Sequence, residues 1–115
     1  MTVTIFHNPR CSKSRATLAL LQERGIEPDI RLYLEDPPDA SELRQLLNQL
    51  GLKPRELMRK GEQEFREQGL ADPGLSDAQL IAAMAATPRL IERPIVIADG
   101  RAALGRPPES VLEIL

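Results

Sequence analysis

The chain has 115 residues and a net charge of −2; that length suits one domain with a single modest core, and that charge leaves no overall basic field to attract nucleic acid or anionic lipid. Apolar residues make up 42% and charged residues 28%, the balance of a soluble globular protein. No apolar run reaches the length of a membrane span, the start "MTVTIFHNPR" lacks the basic and long apolar regions of a signal peptide, and one cysteine excludes an internal disulfide framework and suits a reducing, cytoplasmic setting.

Val3 to His7 is β-rich and ends at Asn8-Pro9, which predicts a first strand and a loop. From Ser12 the pattern turns helical, with Ala16, Leu18, Ala19, Leu20 and Leu21 on a broad apolar face and Gly25 at a C-terminal cap. Ile30 to Leu34 reads as a second strand, so the start is a βαβ unit with a right-handed crossover. Asp39 and Glu42 have capping-box spacing ahead of Leu43, Leu46, Leu47 and Leu50, and Gly51 ends that helix. Lys53-Pro54 starts another helix that should stop near Gly61, and Glu62 to Gln68 suggests a further exposed one. Ser76 and Gln79 repeat the capping box, flanked by Leu75 and Leu80 as a hydrophobic staple, with Pro88 beyond the helix end. Strands return at Ile95 to Ala98 and Arg101 to Leu104 around the hairpin signal Asp99-Gly100. Pro107-Pro108 opens a last helix carrying Val111, Leu112 and Leu115. The expected layout is one domain over residues 1–115, β-α-β, a helical block at about 39–87, then β-β-α.

Cys11 stands at the first strand-to-helix turn. A helix N-terminus offers unpaired N–H groups and a positive dipole end, both of which favour a thiolate. Arg10, Lys13 and Arg15 add positive charge close by in sequence, and Ser12 and Ser14 can donate hydrogen bonds. These features predict an activated nucleophile in an anion cradle; the competing reading is a buried structural cysteine. His7 taken alone reads first as a packed or hydrogen-bonded strand-end residue, and Asn8 as a turn former or as a brace for the loop. One His and one Cys do not furnish a zinc site, so no metal is expected. Arg59, Arg93 and Arg106 are candidates for an oxyanion site, because the planar guanidinium donates paired hydrogen bonds. Taken alone, each reads first as a solvated surface charge.

Five separated motifs, "HNPRCSKSRATL", "LYLEDPP", "LMRKGE", "ERPIVI" and "LGRPPE", occur in order. Through them the chain resembles the ArsC family of glutaredoxin-coupled arsenate reductases, including its shorter members. The resemblance implies an α/β thioredoxin-like fold with a mixed four-stranded sheet and a helical insertion. It implies Cys11 as catalytic nucleophile and Arg59, Arg93 and Arg106 around arsenate or a related oxyanion. It assigns His7, Asn8, Ser14 and Arg15 to support of the cysteine loop, and Pro94 to a cis-proline beside it. It implies no bound cofactor, glutathione as co-substrate, glutaredoxin as partner, and a monomer without nucleic-acid or membrane partners. The lone cysteine fits that scheme, since a second thiol must then come from another molecule. Ser12-Lys13 departs from the Gly-Thr of the best-known members, and the chain ends at Leu115, short of the longer ones.

Two other functions share this fold. One is a general glutathione-linked thiol oxidoreductase, suggested by Ser12-Lys13. The other is a regulator resembling the Spx proteins, which contact RNA polymerase; Ser14 occupies the position of the second cysteine in their CxxC switch.

Overall fold

The computed structural model describes residues 2–115. It divides into two compact units, one of residues up to Asp36 with Arg93–Leu115, the other Pro37–Glu92.

The first unit is built on a mixed four-stranded sheet. Its strands are β1 (Val3–Phe6), β2 (Asp29–Arg31), β3 (Ile95–Ala98) and β4 (Arg101–Leu104), in the order β2-β1-β3-β4. β1 pairs parallel with β2 and antiparallel with β3, and β3 pairs antiparallel with β4. Helix α1 (Ser12–Glu23) makes the parallel crossover. This is the thioredoxin-like α/β arrangement that the motifs imply. Alternation along the strands sends Val3, Ile5, Val96 and Ala98 to one face, where they pack with Leu21 and Val111. Fully burying an aliphatic side chain of this kind contributes about 1.5–3 kcal/mol. Asp99 and Gly100 both have positive φ, 50° and 78°, which gives the tight turn whose twist matches the flanking strands.

Three departures from the sequence reading have local causes. β2 ends at Arg31 instead of Leu34, because the Leu32 carbonyl accepts from the N–H groups of Glu35 (3.0 Å) and Asp36 (2.9 Å) and turns the chain. Tyr33 is thereby buried and stacks on Phe6, with ring centroids 6.4 Å apart. The inner face of α1 is Ser14, Thr17 and Leu21; Ala16 and Ala19 are exposed. The last helix, Pro108–Ile114, is 3-10 throughout. Pro107 and Pro108 have no N–H to give, and the bonds at its ends span three residues, Ser110 N–H to Pro107 O and Leu115 N–H to Leu112 O.

The second unit holds α2 (Ala40–Leu50), α3 (Pro54–Leu57), α4 (Gln63–Glu67), α5 (Asp77–Ala86) and a 3-10 turn, Pro88–Leu90. Both expected capping boxes form. Asp39 accepts from Glu42 N–H at 2.8 Å, and Ser76 accepts from Gln79 N–H at 3.2 Å. α3 stops at Leu57, short of Gly61. Met58 turns extended and bridges Ile91, with Arg59 N–H on Leu90 O (2.7 Å) and Glu92 N–H on Leu57 O (2.8 Å). Those long-range backbone bonds replace the helical ones. α4 is short, and it buries Phe65.

Candidate functional site

The loop from His7 to Arg15 is fixed almost wholly by its own polar groups. Asn8 O accepts from Cys11 N–H at 3.0 Å, closing a turn over Pro9 and Arg10. The Asn8 side chain accepts from Arg10 N–H at 3.0 Å. Asn8 N–H donates to Ser14 Oγ at 3.0 Å, and the same oxygen lies 2.7 Å from His7 Nδ1. Ser14 is fully buried and His7 nearly so. His7 N–H also donates to Arg31 O at 2.9 Å, which ties the loop to the end of β2. Arg15 donates to Pro9 O at 2.9 Å. Thus His7, Asn8, Ser14 and Arg15 meet in one hydrogen-bonded loop, and the Ser14 hydroxyl faces His7 and Asn8.

Burial lowers the His7 pKa, and the Arg15 guanidinium lowers it further. His7 therefore favours the neutral ring, which suits its hydrogen bond to a hydroxyl.

Cys11 is the N-cap of α1, with extended backbone (φ −94°, ψ 123°) and 8% exposure. Burial alone would raise its pKa. The N–H of Ser14, the Arg93 charge, the N–H of Lys13 and a hydrogen bond from Arg93 act the other way, and the net shift is downward. No full cap hydrogen bond closes on the sulfur, so we read the two N–H groups chiefly as aligned dipoles. This corrects the expectation that the charges of Arg10, Lys13 and Arg15 activate the thiol. The guanidinium that acts on the sulfur is Arg93's, Lys13 acts through its backbone, and Arg15 acts on His7.

Arg93 opens the segment leading into β3, and the Arg93–Pro94 peptide is cis, as is Arg106–Pro107. Arg106 donates to Arg93 O at 3.2 Å, and Gly105 N–H donates to Pro94 O at 3.0 Å. Cys11, Arg93, Pro94 and Arg106 are therefore linked within the first unit. Gly105 is a residue whose role the sequence reading missed. A Cβ there would lie 2.7 Å from Pro94 Cγ and closer still to Thr17 Oγ1. Only glycine lets these segments approach, and the only sequence signal was its place in "LGRPPE".

Arg59 stands in the second unit. Its guanidinium contacts Glu62 at 2.6 Å and Glu92 at 3.8 Å. The same unit carries a cavity of about 330 Å3 among Arg44, Leu47, Asn48, Leu52 and Lys53, and none of its lining residues is a candidate site residue. Among the described residues no group of three or more His, Cys, Asp or Glu could hold a metal ion, and no helix is long and apolar enough to cross a membrane.

The site's chemistry is a thiol biased towards its anion beside a guanidinium that can hold a second anion. The model of the ArsC family matches residues 6–114. The chain is 59% identical over 114 residues to a protein of Escherichia coli strain K12, "Uncharacterized protein YfgD", covering 98% of this chain and 96% of that one. It is 51% identical over 114 residues to an arsenate reductase of Neisseria meningitidis serogroup A, covering 98% of this chain and 97% of the relative. Among solved structures it is similar to the arsenate reductase from Vibrio cholerae, with a TM-score of 0.98, 56% identity, and coverage of 100% of this chain and 98% of that one.

Proposed function

The chain belongs to the ArsC family, and on that premise we propose that it reduces arsenate to arsenite with the Cys11 thiolate as nucleophile. The observation that carries the reading is the placement of Cys11 at the N-cap of α1 with the Arg93 guanidinium acting on its sulfur. The thiolate attacks arsenic(V), one arsenate oxygen takes up protons and leaves as water, and a sulfur–arsenic bond forms. Arg93 and the N–H groups at the helix start oppose the negative charge that gathers at the sulfur and the oxyanion. Arg106 braces the Arg93 carbonyl and stands beside it as a second oxyanion donor. Arg59 is assigned to the substrate by the family resemblance.

Arsenate to arsenite takes two electrons. With two thiols the balance is arsenate plus two thiols giving arsenite, one disulfide and one water. Cys11 is the only thiol here, so the second comes from outside. Glutathione is the proposed co-substrate and glutaredoxin the proposed reductant of the resulting mixed disulfide. No bound cofactor takes part. We read the chain as one monomeric, cytoplasmic domain with a helical insertion at about 39–87 and with Pro94 as the proline beside the thiol.

The test is arsenate-dependent NADPH consumption with glutathione, glutaredoxin and glutathione reductase. The expected result is turnover that Cys11→Ser removes; a folded wild-type protein no faster than that variant would refute the reading. The general thiol oxidoreductase is the second reading, favoured by Ser12-Lys13 directly after the nucleophile. It predicts reduction of glutathione mixed disulfides that arsenate leaves unchanged.

A further inference from the structure

Arg59 does not wait for substrate as an isolated cation. Glu62 Oε1 lies 2.6 Å from Arg59 Nη1, while its other oxygen lies 3.4 Å from Arg89 Nη2. The Glu62 side chain is 16% exposed, so the pair is less screened than an open surface pair. Glu62 N–H also donates to Arg59 O at 3.3 Å, fixing the two residues side by side. Arg89 in turn reaches Glu64 at 3.5 Å. A carboxylate on a guanidinium presents oxygens much as a tetrahedral oxyanion would.

We propose that Glu62 is an internal anion that competes with the substrate oxyanion for Arg59. The inference rests on the reading that Arg59 binds that oxyanion. When the oxyanion arrives, Oε1 of Glu62 gives up Arg59 while Oε2 keeps Arg89. Glu62 is then not left without a cation, which keeps its exchange inexpensive. The exchange sets a threshold. A weakly charged or poorly fitting anion does not displace Glu62, whereas a doubly charged one with several oxygens does. Glu62 is thus a positioning residue that acts through Arg59 and tunes which anions enter.

The probe is arsenate, titrated calorimetrically into Cys11→Ser protein, which cannot turn over. Adding Glu62→Gln should lower Kd by about two- to fivefold, the worth of one partly exposed ion pair. Glu62→Asp should shift Kd the same way by less, since the shorter side chain loses reach but keeps its charge. It decides the question if the Gln variant fails to fold. In the Cys11 enzyme, the change should fall on KM rather than on kcat. An unchanged or raised Kd in the folded variants overturns the proposal. Arg59→Ala that leaves Kd unchanged overturns it too, while leaving the Cys11 reaction standing. Wild-type protein that binds arsenate without reducing it would remove the proposed reaction, and the same affinities would still decide the role of Glu62.

Discussion

Arg93 and Arg59 are one residue type in two opposite settings. In the sheet unit, Arg93 acts on a sulfur that the backbone N–H groups of Ser14 and Lys13 also favour as an anion. In the helical unit, Arg59 is met by the carboxylates of Glu62 and Glu92. The first cation favours the thiolate form of a neighbouring thiol; the second is already met by fixed carboxylates. The difference teaches that an arginine's role depends on the group its guanidinium acts on, a titratable thiol in one unit and fixed carboxylates in the other.

The comparison breaks most completely at the thiol. Cys11→Ser should remove arsenate turnover to the level without enzyme while the thermal unfolding midpoint stays near that of the wild type; residual turnover would move the chemistry elsewhere. Next comes Arg93→Ala, which should cost on the order of 10²-fold in kcat/KM, as loss of one charge-stabilising donor does. It should also raise the pH midpoint of Cys11 alkylation, since Arg93 is the cation on the sulfur. An unshifted midpoint would make the helix N–H groups sufficient by themselves.

Gly105→Ala sharpens the contrast from the packing side. Its methyl group would overlap Thr17 and Pro94, so unfolding free energy should fall by about 1–3 kcal/mol in urea titration. A silent substitution would mean that those segments separate freely. The His7 contribution is smaller and depends on pH. Its folded pKa lies below the ordinary 6.5, so the unfolded chain binds the proton first. Its stabilisation is present above about pH 6.5 and is lost as pH falls through the folded pKa. Urea midpoints should decline over that range in wild type and decline less in His7→Gln. Smallest of all, Ser76→Ala removes the α5 cap and should cost about 1 kcal/mol without moving the Cys11 alkylation midpoint. A moved midpoint would show that helical-unit stability reaches the thiol.

Legibility followed the range of each interaction. Both capping boxes, the β3–β4 turn and the place of Cys11 at a helix start were readable, because their partners lie within a few residues. The length of β2 was misread because alternation in "IRLYL" continues past the point where Leu32 O is captured. α3 was overextended because nothing near Met58 announces its bridge to Ile91. The apolar stripe expected on α1 hid the fact that Ser14 and Thr17 face inward. Their hydroxyls find partners in His7, Asn8 and the Lys13 carbonyl, which makes burial tolerable.

The sequence by itself determined that one thiol sits where a helix begins, and that any second thiol must come from another molecule. It determined local caps and turns, since those energies depend on residues adjacent in the chain. Only the tertiary structure decided which cation activates the sulfur and which carboxylate holds Arg59. Coulomb energy follows distance in space, and Arg10 and Lys13, near Cys11 in sequence, yield that role to Arg93, which the fold brings back from the other end of the chain.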